Sequence, residues 1–152
     1  MSTYIASNAI VVGDVTLGEN VNIWYNAVLR GDSGAIAVGA GTNIQDGCIL
    51  HEQTAVGKNC TIGHGAIVHG CTVGDNCVIG MGAIVLNGAV IGNNCIVGAG
   101  ALVTGKMNAP DGSMILGSPA KVVKELNEAQ IEENAHSAAH YVALAKAGLP
   151  EV

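Results

Sequence analysis

The chain has no phenylalanine, and aromatic residues make up only 3% of its 152 positions. A core filled by large rings is excluded. Turns must shape the fold instead, since 22 residues are glycine. Charge is scarce too. There are 6 Lys or Arg against 12 Asp or Glu, a formal net charge of −6, so few cations are available to release counterions from a phosphate backbone and no nucleic-acid partner is expected. No apolar run approaches the roughly 18 residues of a membrane span. The start, Met1-Ser2-Thr3-Tyr4, lacks a basic region followed by an apolar stretch, so the expectation is a cytoplasmic protein with no membrane partner. The five cysteines form no Cys-x-x-Cys and are odd in number, which argues against a disulfide framework or a thiolate zinc knuckle. The length is that of one domain.

What the chain does have is a period. Aliphatic residues recur at Val38, Ile44, Leu50, Val56, Ile62 and Val68, slip by one residue to Val73, and resume at Ile79, Val85, Ile91, Val97 and Val103. Leu17, Ile23 and Leu29 keep the same step and join the later series after three extra residues within Arg30-Gly31-Asp32-Ser33-Gly34. A six-residue cycle predicts a solenoid in which each hexad is a short strand plus a tight turn, and three hexads close a triangular coil. About five coils fit before Pro110. The period does not set the hand of the coil; the general rule for parallel crossovers is right-handed. Cys48, Cys60, Cys71, Cys77 and Cys95 each lie two residues before an aliphatic anchor, in the slot shared with Thr42, Thr54, Ala66, Ala83, Ala89 and Ala101. They read as small inward hydrophobes.

Histidines interrupt this pattern. His51 follows Leu50 and His69 follows Val68, eighteen residues or one full coil apart. They should therefore stack on one face, on rungs about 4.8 Å apart, close enough to share an ion bound at about 2.0–2.1 Å. His64 follows Ile62-Gly63 and belongs to the preceding face or its corner. It does not easily reach the same ion within one chain, but it could meet the His51/His69 pair of a neighbouring copy in a cyclic trimer. Arg30, one coil plus the insertion before His51, should lie one rung below it, and could pair with Asp32 or Asp46 across a subunit interface. Gln45 takes a follower slot beside Asn43 and Asp46. Glu52 reads as an exposed turn carboxylate, and His136 and His140 as solvated.

Asn22-Ile23-Trp24-Tyr25-Asn26-Ala27-Val28-Leu29-Arg30-Gly31-Asp32, Thr42-Asn43-Ile44-Gln45-Asp46 with His51, Ile62 through Cys71, and Leu116-Gly117-Ser118-Pro119-Ala120-Lys121 resemble the gamma-class carbonic anhydrases of the hexapeptide-repeat proteins. The resemblance runs over nearly the whole chain. It implies an all-β solenoid, a left-handed parallel β-helix of triangular coils. It implies a homotrimer with zinc, or alternatively iron or cobalt, held by His51, His64 and His69 at sites shared between subunits. Arg30 and Asp32 would fix the interface, Gln45 would orient the metal-bound water with Asn43 and Asp46 in support, and Tyr141 matches a tyrosine that approaches the site in some relatives, although packing on a helix is its plainer reading. The implied reaction is reversible hydration of carbon dioxide to bicarbonate by metal-bound hydroxide, since zinc lowers the pKa of its water to about 7. Only twelve residues separate His51 from His64, and Ser33 follows Asp32, so the acidic loop that carries a glutamate proton shuttle is missing and turnover should be low or cryptic. Alternatives are a hexapeptide-repeat acyltransferase, an acyl-coenzyme A thioesterase-like metal hydrolase, and a noncatalytic metal-binding assembly protein.

The coil pattern should end near residue 118, giving a β-helix over 1–118 and a C-terminal segment over 119–152 that packs on it. Asn127-Glu128-Ala129-Gln130 has capping-box spacing, and Ile131, Ala135, Ala138, Val142 and Ala145 form the apolar stripe of a helix ending at Gly148 and Pro150.

Overall fold

The aliphatic residues that recur at the six-residue step are the ones removed from water: Ile44, Leu50, Ile62, Val68, Ile79, Val85, Val97 and Val103 are all 0% exposed. They line the inside of a left-handed parallel β-helix of about six turns, seen in a computed structural model describing residues 1–152. Leu17 is less covered, because the first winding has nothing beneath it. One face stacks Tyr4–Ile5, Asn22–Ile23, Asn43–Ile44, Thr61–Ile62, Val78–Ile79, Ile96–Val97 and Ser113–Gly117 in parallel, and Ala120–Glu125 returns antiparallel on its edge. A second stacks Val28–Arg30, Ile49–His51, Ile67–His69, Ile84–Val85 and Leu102–Val103, and the third Ile36–Val38, Thr54–Val56, Thr72–Val73, Val90–Ile91 and Asn108–Ala109. The strand Val28–Val38 crosses from the second face to the third, and the three-residue insertion lies within it.

The small slot behaves as its composition demands. Cys48, Cys60, Cys77 and Cys95 are 0% exposed and Cys71 3%, all five as free thiols. Burial pushes the Cys48 thiol up to about 11 and the Cys71 thiol up to about 12, because a thiolate inside the coil would lose its water.

The helix Glu128–Gly148 starts on a capping box: Gln130 N–H donates to Asn127 Oδ1 at 2.9 Å, and Asn127 N–H donates to Gln130 Oε1 at 3.0 Å. It packs across the first face. Its buried positions are Asn134, Ala138 and Ala145. Ala135, expected in the stripe, is exposed, because Asn134 anchors the helix by polar bonds instead: its Nδ2 donates to the carbonyls of Asn76 and Cys95 at 3.1 and 3.4 Å. In return Asn76 Nδ2 donates to the Ile131 carbonyl at 3.1 Å. Tyr4, Ala6, Ala145 and Leu149 close a small second core under the helix end. The helix is not long and apolar enough to cross a membrane.

Candidate metal centre

Arg30, His51 and His69 are in register on adjacent rungs of the second face, as the spacing requires. His51 Nδ1 and His69 Nε2 are 3.3 Å apart. The other nitrogen of each ring is held by an oxygen acceptor: His51 Nε2 lies 2.9 Å from Asp32 Oδ1, and His69 Nδ1 lies 2.6 Å from Asn87 Oδ1. A carboxylate or amide oxygen accepts, so those nitrogens carry the protons. In the neutral rings the two facing nitrogens then both present lone pairs. A proton shared between the rings or a cation bound by both makes that contact favourable. Two nitrogens bound to one tetrahedral zinc at about 2.0–2.1 Å are themselves about 3.3–3.4 Å apart, so the donor set fits a metal ion.

Asp32 is the hub of the acceptor side. Its Oδ2 accepts from Arg30 Nη1 at 2.9 Å while Oδ1 takes His51. The bond from His51, and secondarily the Arg30 guanidinium, hold its carboxyl below the usual carboxylate range despite partial desolvation. Within one chain, then, Arg30 makes a single contact to Asp32 rather than a bidentate pair, and Asp32 orients a histidine.

His64 is not brought to the pair. It is half exposed, with Nδ1 3.0 Å from Asp46 Oδ1. The tautomer logic that applies to His51 and His69 leaves its Nε2 with the lone pair. Its backbone N–H donates to Gln45 Oε1 at 3.1 Å, and Gln45 Nε2 donates to Asn43 Oδ1 at 3.0 Å. Asn43 is anchored in turn by Nδ2 bonds to Thr61 Oγ1 at 2.9 Å and the Cys60 carbonyl at 3.2 Å. Gln45 is only 5% exposed, so its carboxamide depends on these bonds rather than on water. Gln45, His64, Met81 and Tyr141 border a cleft of 320 Å³ between the first face and the helix. Tyr141 also packs edge-on against Trp24, ring centres 5.6 Å apart; burial, with the Asp46 charge, raises its phenol pKa. His136 and His140 lie on the exposed side of the helix.

Two neighbours of the pair were not singled out as site residues. Asn87 sits one position past the rung of His69, in a turn, and Gly70 leaves it room: a Cβ at Gly70, whose φ is +62°, would collide with the Asn87 amide. The signal in the sequence is weak, one Asn eighteen residues after His69. Glu52 is half-buried rather than an exposed turn carboxylate.

Over 146 residues the chain is 48% identical to a protein of Methanocaldococcus jannaschii named probable carbonic anhydrase, covering 93% of this chain and 92% of that one. It is 41% identical over 153 residues to gamma carbonic anhydrase 2, mitochondrial, of Arabidopsis thaliana, covering 94% of this chain. The chain belongs to the gamma-class carbonic anhydrase-like family of hexapeptide-repeat proteins. It spans 55% of the length of that Arabidopsis relative. Residues 32–134 match the family model described as GMPPB C-terminal domain, as expected where the repeat itself is what is shared. Among solved structures, a hexapeptide transferase family protein from Anaplasma phagocytophilum superposes with a TM-score of 0.88 at 40% identity, over 97% of this chain and 93% of that one. The family therefore accounts for the coil, while the histidine column distinguishes this chain from a bare repeat.

Proposed function

We propose that this protein catalyses the reversible hydration of carbon dioxide at zinc sites shared between the subunits of a homotrimer, each held by His51 and His69 of one protomer and His64 of the partner subunit. One observation carries the reading: each of the three imidazoles has one nitrogen fixed by an oxygen acceptor, Asp32, Asn87 or Asp46, leaving the other nitrogen free to bind metal. Outer partners of this kind are what metal-binding histidines use to set tautomer and orientation. The subunit arrangement has its own support. Ile10, Val28, Ile49, Ile67, Ile84 and Leu102 stack in register along the outside of the second face, Ile10 and Ile49 being 48% and 40% exposed. An aliphatic ladder beside the histidines is what an interface needs to cover.

A bound zinc ion supplies Lewis acidity that makes water nucleophilic near neutral pH. This chain's residues do the rest. Asp32 and Asn87 keep the ring protons away from the metal-binding nitrogens. Gln45 commits one amide proton to Asn43 and its oxygen to the His64 backbone, so its carboxamide is set to orient a water or substrate oxygen in the cleft. No acidic loop lies between His51 and His64 to carry protons to solvent, so turnover is low. A second reading, hydrolysis of an acyl thioester by the same site, is favoured by the 320 Å³ cleft at Gln45, His64 and Tyr141, more room than carbon dioxide requires.

The test is zinc-loaded protein assayed for carbon dioxide hydration and thioester hydrolysis side by side, together with His64→Ala. The expected result is hydration that His64→Ala abolishes, weaker zinc binding in that variant, and an unchanged oligomer. Zinc affinity unaffected by His64→Ala would refute the shared site.

A further inference from the structure

The chemistry around the pair is not exhausted by imidazoles. A carboxylate oxygen of Glu52 and ring nitrogens of His51 and His69 all lie within 4.8 Å of one another. Neighbours in an extended strand send their side chains to opposite sides, so residues 51 and 52 should not share a space. They do because Glu52 leaves the strand with φ +62°. Every other non-glycine residue with positive φ in this chain is an asparagine: Asn20, Asn26, Asn59, Asn76 and Asn94. Asparagine tolerates that conformation and glutamate does so poorly. A glutamate kept in a strained backbone region beside two imidazoles points to a function for its carboxylate.

We propose that Glu52 is a third metal ligand from the same chain as His51 and His69, so that a single protomer holds a divalent first-row cation and the partner subunit's His64 adds to a site already formed. The inference rests on the reading that His51 and His69 bind metal. Two imidazoles and one carboxylate form a set suited to ferrous, cobaltous or zinc ions, with open positions on the remaining side. Glu52 is half-buried, and the other carboxylate at the pair, Asp32, is already committed to His51 Nε2 and Arg30.

Cobalt(II) is the probe, because its visible absorption reports the number and kind of ligands. Wild type, Glu52→Gln, His64→Ala, the double variant and His51→Ala are titrated with cobalt(II) against a competing chelator, with oligomeric state and thermal unfolding recorded for each. Glu52→Gln preserves size and should fold as wild type. Expected is one cobalt per chain in His64→Ala, bound more weakly than in wild type, and a further loss of about 100-fold or more in the double variant, since a direct ligand outweighs the 10–100-fold effect of an outer partner. Equal affinity of His64→Ala and the double variant would overturn the role of Glu52, as would the absence of any residual cobalt site in His64→Ala. Undiminished binding in His51→Ala would instead sink the histidine reading on which it rests.

Discussion

Asp32→Asn puts the tautomer argument to a direct test. The carboxylate now accepts on both oxygens, from His51 Nε2 and from Arg30 Nη1, each at 2.9 Å. An asparagine has one oxygen and one NH₂ in the same two places. With its oxygen toward His51, its NH₂ meets the Arg30 guanidinium, donor against donor. With its oxygen toward Arg30, its NH₂ faces His51 Nε2, which must give up its proton to Nδ1, and Nδ1 is the nitrogen 3.3 Å from His69. The second arrangement takes the lone pair from the metal-facing nitrogen; the first keeps it but replaces a carboxylate by a neutral acceptor, which makes His51 a less basic ligand. The expected loss is about 10–100-fold in zinc or cobalt affinity, the range for an outer partner of a metal-bound histidine. Chelator competition at fixed pH and ionic strength measures it. Asp32 and Arg30 are half exposed, so the urea midpoint should barely move, which separates loss of the site from loss of the fold. Wild-type metal affinity in folded Asp32→Asn would refute the assignment of the ring protons.

Three further outcomes are expected. Leu50 is fully buried one residue before His51, so Leu50→Ala should cost about 2–5 kcal/mol in urea unfolding; a loss below about 1 kcal/mol would mean that the coil collapses around the gap. The Cys48 and Cys71 thiols titrate at about 11 and about 12 in the fold against an ordinary 9.0. Raised folded values mean that stability is intact below pH 9 and is lost as pH climbs toward 11 and 12. At about 1.4 kcal/mol per pH unit per thiol, the two together cost about 3 kcal/mol at pH 10. Urea midpoints at pH 8 and pH 10 measure it as a difference: the loss in wild type should exceed by that amount the loss in the variant with both cysteines replaced by alanine. Gly70→Ala places a side chain at φ +62° and against the Asn87 amide. It should cost about 1–2 kcal/mol in stability and, by displacing Asn87 from His69, weaken metal binding by about tenfold; chelator competition on the refolded variant checks the second part.

The hexad was legible because in a coil whose strands are mostly two or three residues long the period alone says which side of the chain a Cβ occupies. That was enough to place the inward aliphatics, the buried cysteines, and Arg30, His51 and His69 in one column. The capping box at Asn127 was legible for the same local reason. Ala135 was misplaced because a helix stripe read from apolar residues cannot see that Asn134 docks through two carbonyls of other coils. Asp46 beside His64 and Asn87 beside His69 are each eighteen residues from their partner, so the winding brings them near; which oxygen meets which nitrogen depends on turns and side-chain rotamers. By itself, then, the order of amino acids determined the solenoid, its buried lining and the stacking of two imidazoles, since these follow from repeat length. Tertiary structure alone decided which oxygen each ring nitrogen meets, that the other two nitrogens stand 3.3 Å apart, and that Glu52 leaves its strand to join them, because these depend on contacts between successive windings and on a left-handed turn at a residue that does not favour one.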